Sequence, residues 1–303
     1  MEEKNIYKKI KKERIDHYLS SIYTDYSRSY FKKIIDKNGI LVNNKIVFSS
    51  YKLKYNDLIT FNFNKKKPLF TSFIKPEKIE FDIIHEDDDI IAIDKQSNIV
   101  VHPSYGHCSG TLLNAVIGYF NGSCTPYLIH RLDKDTSGVI IFAKNEKSKI
   151  YISKQFQSRT VKKIYYAAVN GVVKESFGII KAPLGRSRIN RKIVTVNCFS
   201  KKMAVTKFET ILRENKYTIL KVRIITGRTH QIRSHMKYIN HPIIGDQQYG
   251  GPKVIDGKRF NRQMLHAYSI SFVHPKTMKV MKLISEIPVD MRWIFKNYNG
   301  FFL

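Results

Sequence analysis

Leu128-Ile129-His130-Arg131-Leu132-Asp133-Lys134-Asp135-Thr136-Ser137-Gly138-Val139-Ile140-Ile141-Phe142-Ala143 is the stretch from which the rest of the chain can be read. The apolar residues on either side, 128–129 and 139–143, read as strand material. His130 to Gly138 is therefore expected to be a loop at a sheet edge, where reactive groups commonly sit. Within nine positions the loop supplies an arginine, two carboxylates, two hydroxyls and a glycine. Asp133 and Asp135 are both able to cap the turn before the strand. His130 suits either a loop-stabilising hydrogen bond or a catalytic role.

Upstream, Phe81–Ile84 and Ile90–Ile93 flank the acidic run Glu86-Asp87-Asp88-Asp89 and predict an antiparallel pair of strands joined by an exposed turn. Thr111 to Phe120 reads as a helix. Downstream, strand-like runs recur at 164–169, 205–212 and 217–225, followed by a helix from about His230 to Ile239. This irregular interleaving predicts an α+β fold with a mixed sheet. Near the start, Ile15, Leu19 and Ile22 fall at helical spacing, and Tyr30, Ile34 and Ile35 repeat it up to Gly39. Ile40–Val42, Asn43-Asn44 and Lys45–Val47 predict a hairpin. The polar, proline-punctuated segment 64–76 suits a linker, dividing a small α/β domain over 13–75 from a larger one over 76–303.

The charge balance, 53 Lys and Arg against 25 Asp and Glu, leaves +28, more than solubility requires. Part of the excess is the lysine, isoleucine and asparagine usage that an AT-rich genome writes. Residues 1–79 hold 18 basic and 8 acidic residues, a denser excess than the remainder carries. A polyanionic partner follows. No run approaches the ~18 apolar residues of a membrane span, and Met1 to Arg14 lacks a signal peptide's apolar stretch, so a cytoplasmic protein with no membrane partner is expected. Cys108, Cys124 and Cys198 form neither a disulfide framework nor a zinc site. His230 and His235 lie five apart rather than four, and no metal or cofactor is expected.

His130-Arg131-Leu132-Asp133-Lys134-Asp135-Thr136-Ser137-Gly138 resembles the catalytic motif of the RluA-type pseudouridine synthases. Lys163-Ile164-Tyr165, Thr226-Gly227-Arg228-Thr229-His230-Gln231-Ile232-Arg233 and Leu265-His266-Ala267 resemble three further motifs of that family, in order. Matching segments around Val100–Pro103, 111–115 and 241–251 carry the resemblance over nearly the whole chain. The start of the chain resembles the S4-type RNA-binding module, with Ser27, Arg28, Lys32 and Lys33 loading its second helix with phosphate-binding groups. The resemblance implies an isomerase of the pseudouridine synthase fold, with a mixed, mainly antiparallel sheet. Its closest likeness is to the D-type members, which act on 23S ribosomal RNA, with the C-type next. It further implies a monomer whose substrate is ribosomal RNA, free or within pre-50S particles.

The same resemblance implies site roles: Asp133 as the catalytic carboxylate, Tyr165 stacking on the base, Arg233 pairing with Asp133, and Leu265 lining the pocket. Arg131 would fill the space left by a flipped uridine, and Arg228 would contact phosphate. These residue types suit the chemistry. Uridine becomes pseudouridine when the N1–C1′ bond breaks, the uracil turns and C5 joins C1′, without redox change. An ionised carboxylate is needed as nucleophile or base. Enclosed with substrate it loses water, so a positive partner must keep it ionised. Two rivals remain: a non-catalytic RNA-binding assembly factor, and a hydrolase pairing Asp133 with Asp135.

Overall fold

The computed structural model describes residues 2–10, 12–23, 28–36, 39–62, 74–103, 109–187, 190, 193–197, 199–200 and 202–298. The chain forms two compact units, Met1–Leu69 and Phe70–Leu303. In the first, strand β1 (Glu2–Ile6) precedes helices α1 (Ile15–Ile22) and α2 (Arg28–Asp36), followed by β2 (Ile40–Val42), β3 (Lys45–Ile46) and β4 (Leu58–Asn62). The sheet order is β1-β4-β2-β3. Asn43 and Asn44 close the β2–β3 hairpin at φ of 50° and 60°, left-handed values that asparagine tolerates. Ile15 and Leu19 of α1 and Phe31 and Ile35 of α2 bury their apolar stripes against Ile40 and Ile59. β1 lies before residue 13. As an edge strand reading Glu-Glu-Lys-Asn-Ile, it carries no apolar alternation to announce it.

The second unit begins with β5 (Asp82–Glu86), β6 (Ile90–Lys95), α3 (Leu112–Phe120), β7 (Tyr127–Leu128), β8 (Ser137–Ala143) and α4 (Glu146–Gln157). There follow β9 (Lys162–Asn170), β10 (Phe177–Arg186), β11 (Val194–Val196), β12 (Met203–Arg213), β13 (Tyr217–Ile224) and α5 (Gln231–Tyr238). The hairpin of β14 (Val254–Ile255) and β15 (Lys258–Arg259), β16 (Leu265–Val273), β17 (Val280–Ile284) and α6 (Val289–Arg292) complete it. Eleven strands join in one sheet, in the order β11-β10-β12-β13-β9-β16-β8-β6-β5, with β17 on β16 and β7 on β8. Among the described strands β8–β16 is the one parallel pair; the sheet is mixed and mainly antiparallel, as expected. None of the described helices is long and apolar enough to cross a membrane.

The centre of the sheet is covered on both faces, which is why its strands read as unbroken apolar runs. Ile91 and Ile93 of β6 and Ile140 and Phe142 of β8 join a core that includes Leu112, Leu113 and Val116 of α3. Their neighbours Ile90, Ala92, Val139 and Ile141 face the opposite way, onto Ile152 of α4. Thr111 caps α3 with a capping box to Asn114, and Asn145 caps α4 by accepting the Ser148 N–H. Neither α4 nor β10 was anticipated. The first is lysine-rich with few apolar anchors, and the second contains Gly178, Pro183 and Gly185, residues that usually mark loops.

The end of the 130–138 loop is fixed where β8 meets β16. Gly138 has φ +115°, and a Cβ at this position would collide with the backbone carbonyl of Ala267. Gly138→Ala therefore combines strain with displacement of β16. It should cost about 1–3 kcal/mol and lower Tm by roughly 3–10 °C in thermal unfolding, whereas Gly122→Ala, with open space around it, meets backbone strain alone and should cost less.

Candidate active site

The loop after β7 is held from below by Lys95, whose side chain is fully buried at the end of β6. Its Nζ donates to the carbonyls of Gln96 (2.7 Å), Lys134 (2.8 Å) and Thr136 (2.9 Å). Three acceptors suit the three N–H groups of an ammonium, yet burial pushes the group down to about 7, with Asp135 and Asp133 opposing the shift. A second chain of bonds holds the loop's far end. Ser137 Oγ meets Nδ1 of the buried His266 (2.9 Å), His266 Nε2 meets the Ser285 carbonyl (3.0 Å), and Ser285 Oγ donates to Asp94 (2.7 Å). Burial pushes His266 down to about 4, which keeps it neutral in this network. His130 serves the loop as well: its Nε2 accepts the Ile141 N–H (3.2 Å), its ring stacks on Phe156, and burial takes it down to about 3.

So positioned, Asp133 faces Arg233, which projects from the first turn of α5. Arg233 Nη1 donates to Asp133 Oδ2 at 3.2 Å. The rest of the guanidinium is committed elsewhere: Nε and Nη2 donate to the two oxygens of the buried Asp246 (2.6 and 2.8 Å), and Nη2 also reaches Gln248 Oε1 (2.9 Å). The cation lies over the Tyr249 ring, 4.8 Å from its centroid. Hydrogen bonding and the charges of Asp246 and Asp133 outweigh desolvation and hold Arg233 above its ordinary value. α5 is oriented by Gln231, whose Oε1 accepts from Thr226 Oγ1 and the Arg228 N–H, and whose Nε2 donates to Val205 O and Thr206 Oγ1 of β12.

A cavity of about 570 Å³ opens over this pair, lined by Arg131, Asp133, Tyr165, Arg228, Arg233 and Leu265 among others. All six site residues expected in the larger unit thus meet at one place, brought from the 130–138 loop, β9, the β13–α5 segment and the start of β16. Tyr165 is buried, and burial together with the Asp133 charge raises its hydroxyl. Arg131 and Arg228 are exposed at the rim. In the smaller unit Arg28 Nε donates to the buried Asp16 (2.9 Å), which Arg14 also binds. Lys32 is exposed on α2, while Ser27 and the Lys33 side chain lie outside the described residues.

His230, which the sequence singled out only to discount as a metal ligand, also lines the cavity. Its Nε2 stands 3.9 Å from Asp133 Oδ1 and its Nδ1 2.9 Å from the Tyr249 hydroxyl, with a left-handed backbone at φ 51°. Desolvation lowers it below the usual histidine value. Asp246 and Lys95 were not assigned roles either. Lys95 continues the Ile91-Ile93 alternation inward, a signal present in the sequence. Among the described residues, Asp87, Asp89 and His274 are close enough to share a cation. Their bonds are filled by protein, however. Asp87 Oδ2 takes Nε2 of His85 and of His274 (2.7 and 3.0 Å), Asp87 Oδ1 accepts the Asp89 and Ile90 N–H groups, and Asp89 accepts from Asn145 and Ser148. The acidic turn expected to be exposed is therefore partly buried at Asp87 and tied to the end of β16. Cys124 is half-buried; Cys108 and Cys198 lie outside the described residues.

Residues 89–238 match the family described as RNA pseudouridylate synthase. An uncharacterised RNA pseudouridine synthase of Bacillus subtilis is 36% identical over 293 residues, covering 95% of this chain and 94% of the relative. The chain belongs to the RNA pseudouridine synthase family. It is an isomerase acting on RNA, as the motifs implied. A relative from Buchnera aphidicola, named ribosomal large subunit pseudouridine synthase D, is 37% identical over 92% of this chain and 91% of its own length. The structure of human RNA pseudouridylate synthase domain containing 4 shares the fold, with TM-score 0.58 and 22% identity over 71% of this chain and 92% of that one.

Two outcomes follow from the buried charges. Asp246→Ala leaves Arg233 with one carboxylate and should cost about 3 kcal/mol, the lower end for breaking a buried pair because Asp133 and Gln248 remain; denaturant unfolding measures it. Lys95 titrates near 7 when folded and near 10.5 when unfolded. Between those values the unfolded chain binds more protons, so the residue's contribution is lowest below pH 7 and rises with pH. The stability of wild type relative to Lys95→Met should climb from pH 7 toward 10, and a flat difference would count against this account.

Proposed function

We propose that this isomerase converts uridines of large-subunit (23S) ribosomal RNA to pseudouridine, with Asp133 as the reacting carboxylate. The observation that carries the site assignment is the Asp133–Arg233 contact at 3.2 Å at the base of a 570 Å³ cavity. The substrate assignment is supported by relatives named for the large ribosomal subunit. Asp133 either attacks the ribose carbon or takes the 2′ proton, and both routes require an anion. Arg233 places a fixed positive charge against it, and Asp246 prevents that guanidinium from swinging away.

Tyr165 and Leu265 supply the walls of the uracil site. A flat aromatic face gives base stacking worth ~1–3 kcal/mol, and a snug pocket lets the detached ring turn without leaving. The uridine reaches this depth only by leaving its stack, at a cost of about a few kcal/mol. Arg131, exposed at the mouth, fills the vacated position with its planar guanidinium, and Arg228 holds a neighbouring phosphate. The N-terminal unit acts as an RNA-binding module of the S4 type over residues 13–75, with Ser27, Arg28, Lys32 and Lys33 as its phosphate-binding groups. The basic excess of residues 1–79 supports this. The enzyme works in the cytoplasm as a monomer, on free 23S RNA or pre-50S particles.

Asp133→Asn keeps the shape of the site and removes the anion. The purified variant should bind ribosomal RNA within about threefold of wild type and form no pseudouridine by chemical mapping. Modification persisting in the variant would overturn the assignment of Asp133. Loss of pseudouridine from transfer RNA alone, in cells lacking the gene, would overturn the substrate. Released uracil would instead mark a hydrolase.

A further inference from the structure

The loop that carries Asp133 is a wall between two cavities. Asp133 and Thr136 face the first. Asp135 borders a second, of about 440 Å³, on the other side, together with Asn98, Lys258, Arg259, Asn261 and Trp293. Its back wall is fixed by the buried Arg262, which donates to the Asp135 carbonyl (3.1 Å) and binds the Asp290 carboxylate through Nε (2.6 Å) and Nη2 (2.9 Å). Asp290, half exposed, is thereby paired with a cation. Lys258 and Arg259, on β15, are exposed and have no ion-pair partner among the described residues. Trp293 is partly exposed, packed on Phe260 and under Lys296 Nζ.

We propose that this second cavity is a nucleotide subsite, which holds an unpaired nucleotide of the substrate RNA beside the one being isomerised. An indole surface, two exposed amide side chains and two unpaired cations are the parts with which single-stranded RNA is held: stacking for the base, adaptable hydrogen bonds for its edge, charge for the phosphates. A stem-loop whose target uridine has left its stack presents such neighbours. The charge set also excludes an apolar ligand. Filling the cavity presses on Asp135 and on the carbonyl that Arg262 holds, so RNA on one side of the loop steadies the carboxylate on the other. The inference rests on the reading of the chain as an RNA isomerase using the first cavity.

Trp293 is the single tryptophan of the chain, so its fluorescence reports on this cavity. The full-length protein is titrated with a 23S RNA transcript and, separately, with oligouridine and uridine monophosphate, and pseudouridine is measured in the same transcript samples. RNA should quench Trp293. The double substitution Lys258→Glu/Arg259→Glu should abolish the quench, raise Kd about tenfold or more, and flatten the salt dependence of log Kd by about two. Because both residues are exposed on a hairpin, folding is not at risk; Asn261→Ala, also exposed, should weaken RNA binding several-fold. Unchanged fluorescence with both RNAs, or a quench that survives the charge reversal, overturns the subsite. Quenching by uridine monophosphate but not by RNA overturns it too, assigning the cavity to a free nucleotide. Pseudouridine formation in those samples shows independently whether the first cavity works as proposed.

Discussion

A guanidinium taken out of water must be met by anions, and in this fold that single requirement organises the active site. Arg233 is buried with Asp246 against one edge and Asp133 against another. Satisfying both means that α5, the turn at 245–249 and the 130–138 loop have one mutual arrangement. A lysine could not do the same, because the two parallel donors to Asp246 come from a planar fork while a third remains for Asp133. The deeply buried carboxylate fixes the cation; the cation then offers a preset charge to the partly exposed one.

Around that pair, the protein spends its buried polar groups on backbone. Lys95 ties three carbonyls, His266 and Ser285 join β8 to β6 across β16, and Arg262 clamps Asp135 to α6. Lys95, His266, Ser285 and Arg262 are all buried, so a lost contact there leaves an unsatisfied donor or acceptor rather than a well-hydrated one. A loop rich in charge, which by composition should be mobile, is consequently confined from beneath, from its far end and from behind.

Much of this was legible in the sequence, for physical reasons that differ by element. β6, β8, β9, β12 and β13 are apolar because both faces or the inner face are covered, and burial leaves a composition signal. The site motifs were legible because Asp133, Tyr165 and Arg233 stand in short, specific runs. α4 was hidden because Ile152 is its one fully buried apolar residue, and three lysines and other polar residues break up the pattern. β10 was hidden by its proline and two glycines, and β1 by its charges. The role of Asp246 was not legible because a buried pair is defined by distance in space, and thirteen residues of separation along the chain carry no trace of it. His230 escaped for a related reason: its left-handed backbone follows from how α5 starts, not from the residue type.

The parallel pairing of β8 with β16 sets a timetable. Ser137 finds His266 129 residues further along the chain, and at ~5–20 residues per second of synthesis that stretch takes roughly 6–26 s to appear. Until β16 leaves the ribosome, the start of β8 lacks a neighbour on one side and the Asp133 loop lacks its far anchor. A nascent chain therefore carries the complete 130–138 segment for many seconds without the means to hold it in place. The site comes into being only once β16 has been made, and a chain truncated before residue 265 would retain Asp133, Tyr165 and Arg233 yet lack the strand that anchors the loop between them.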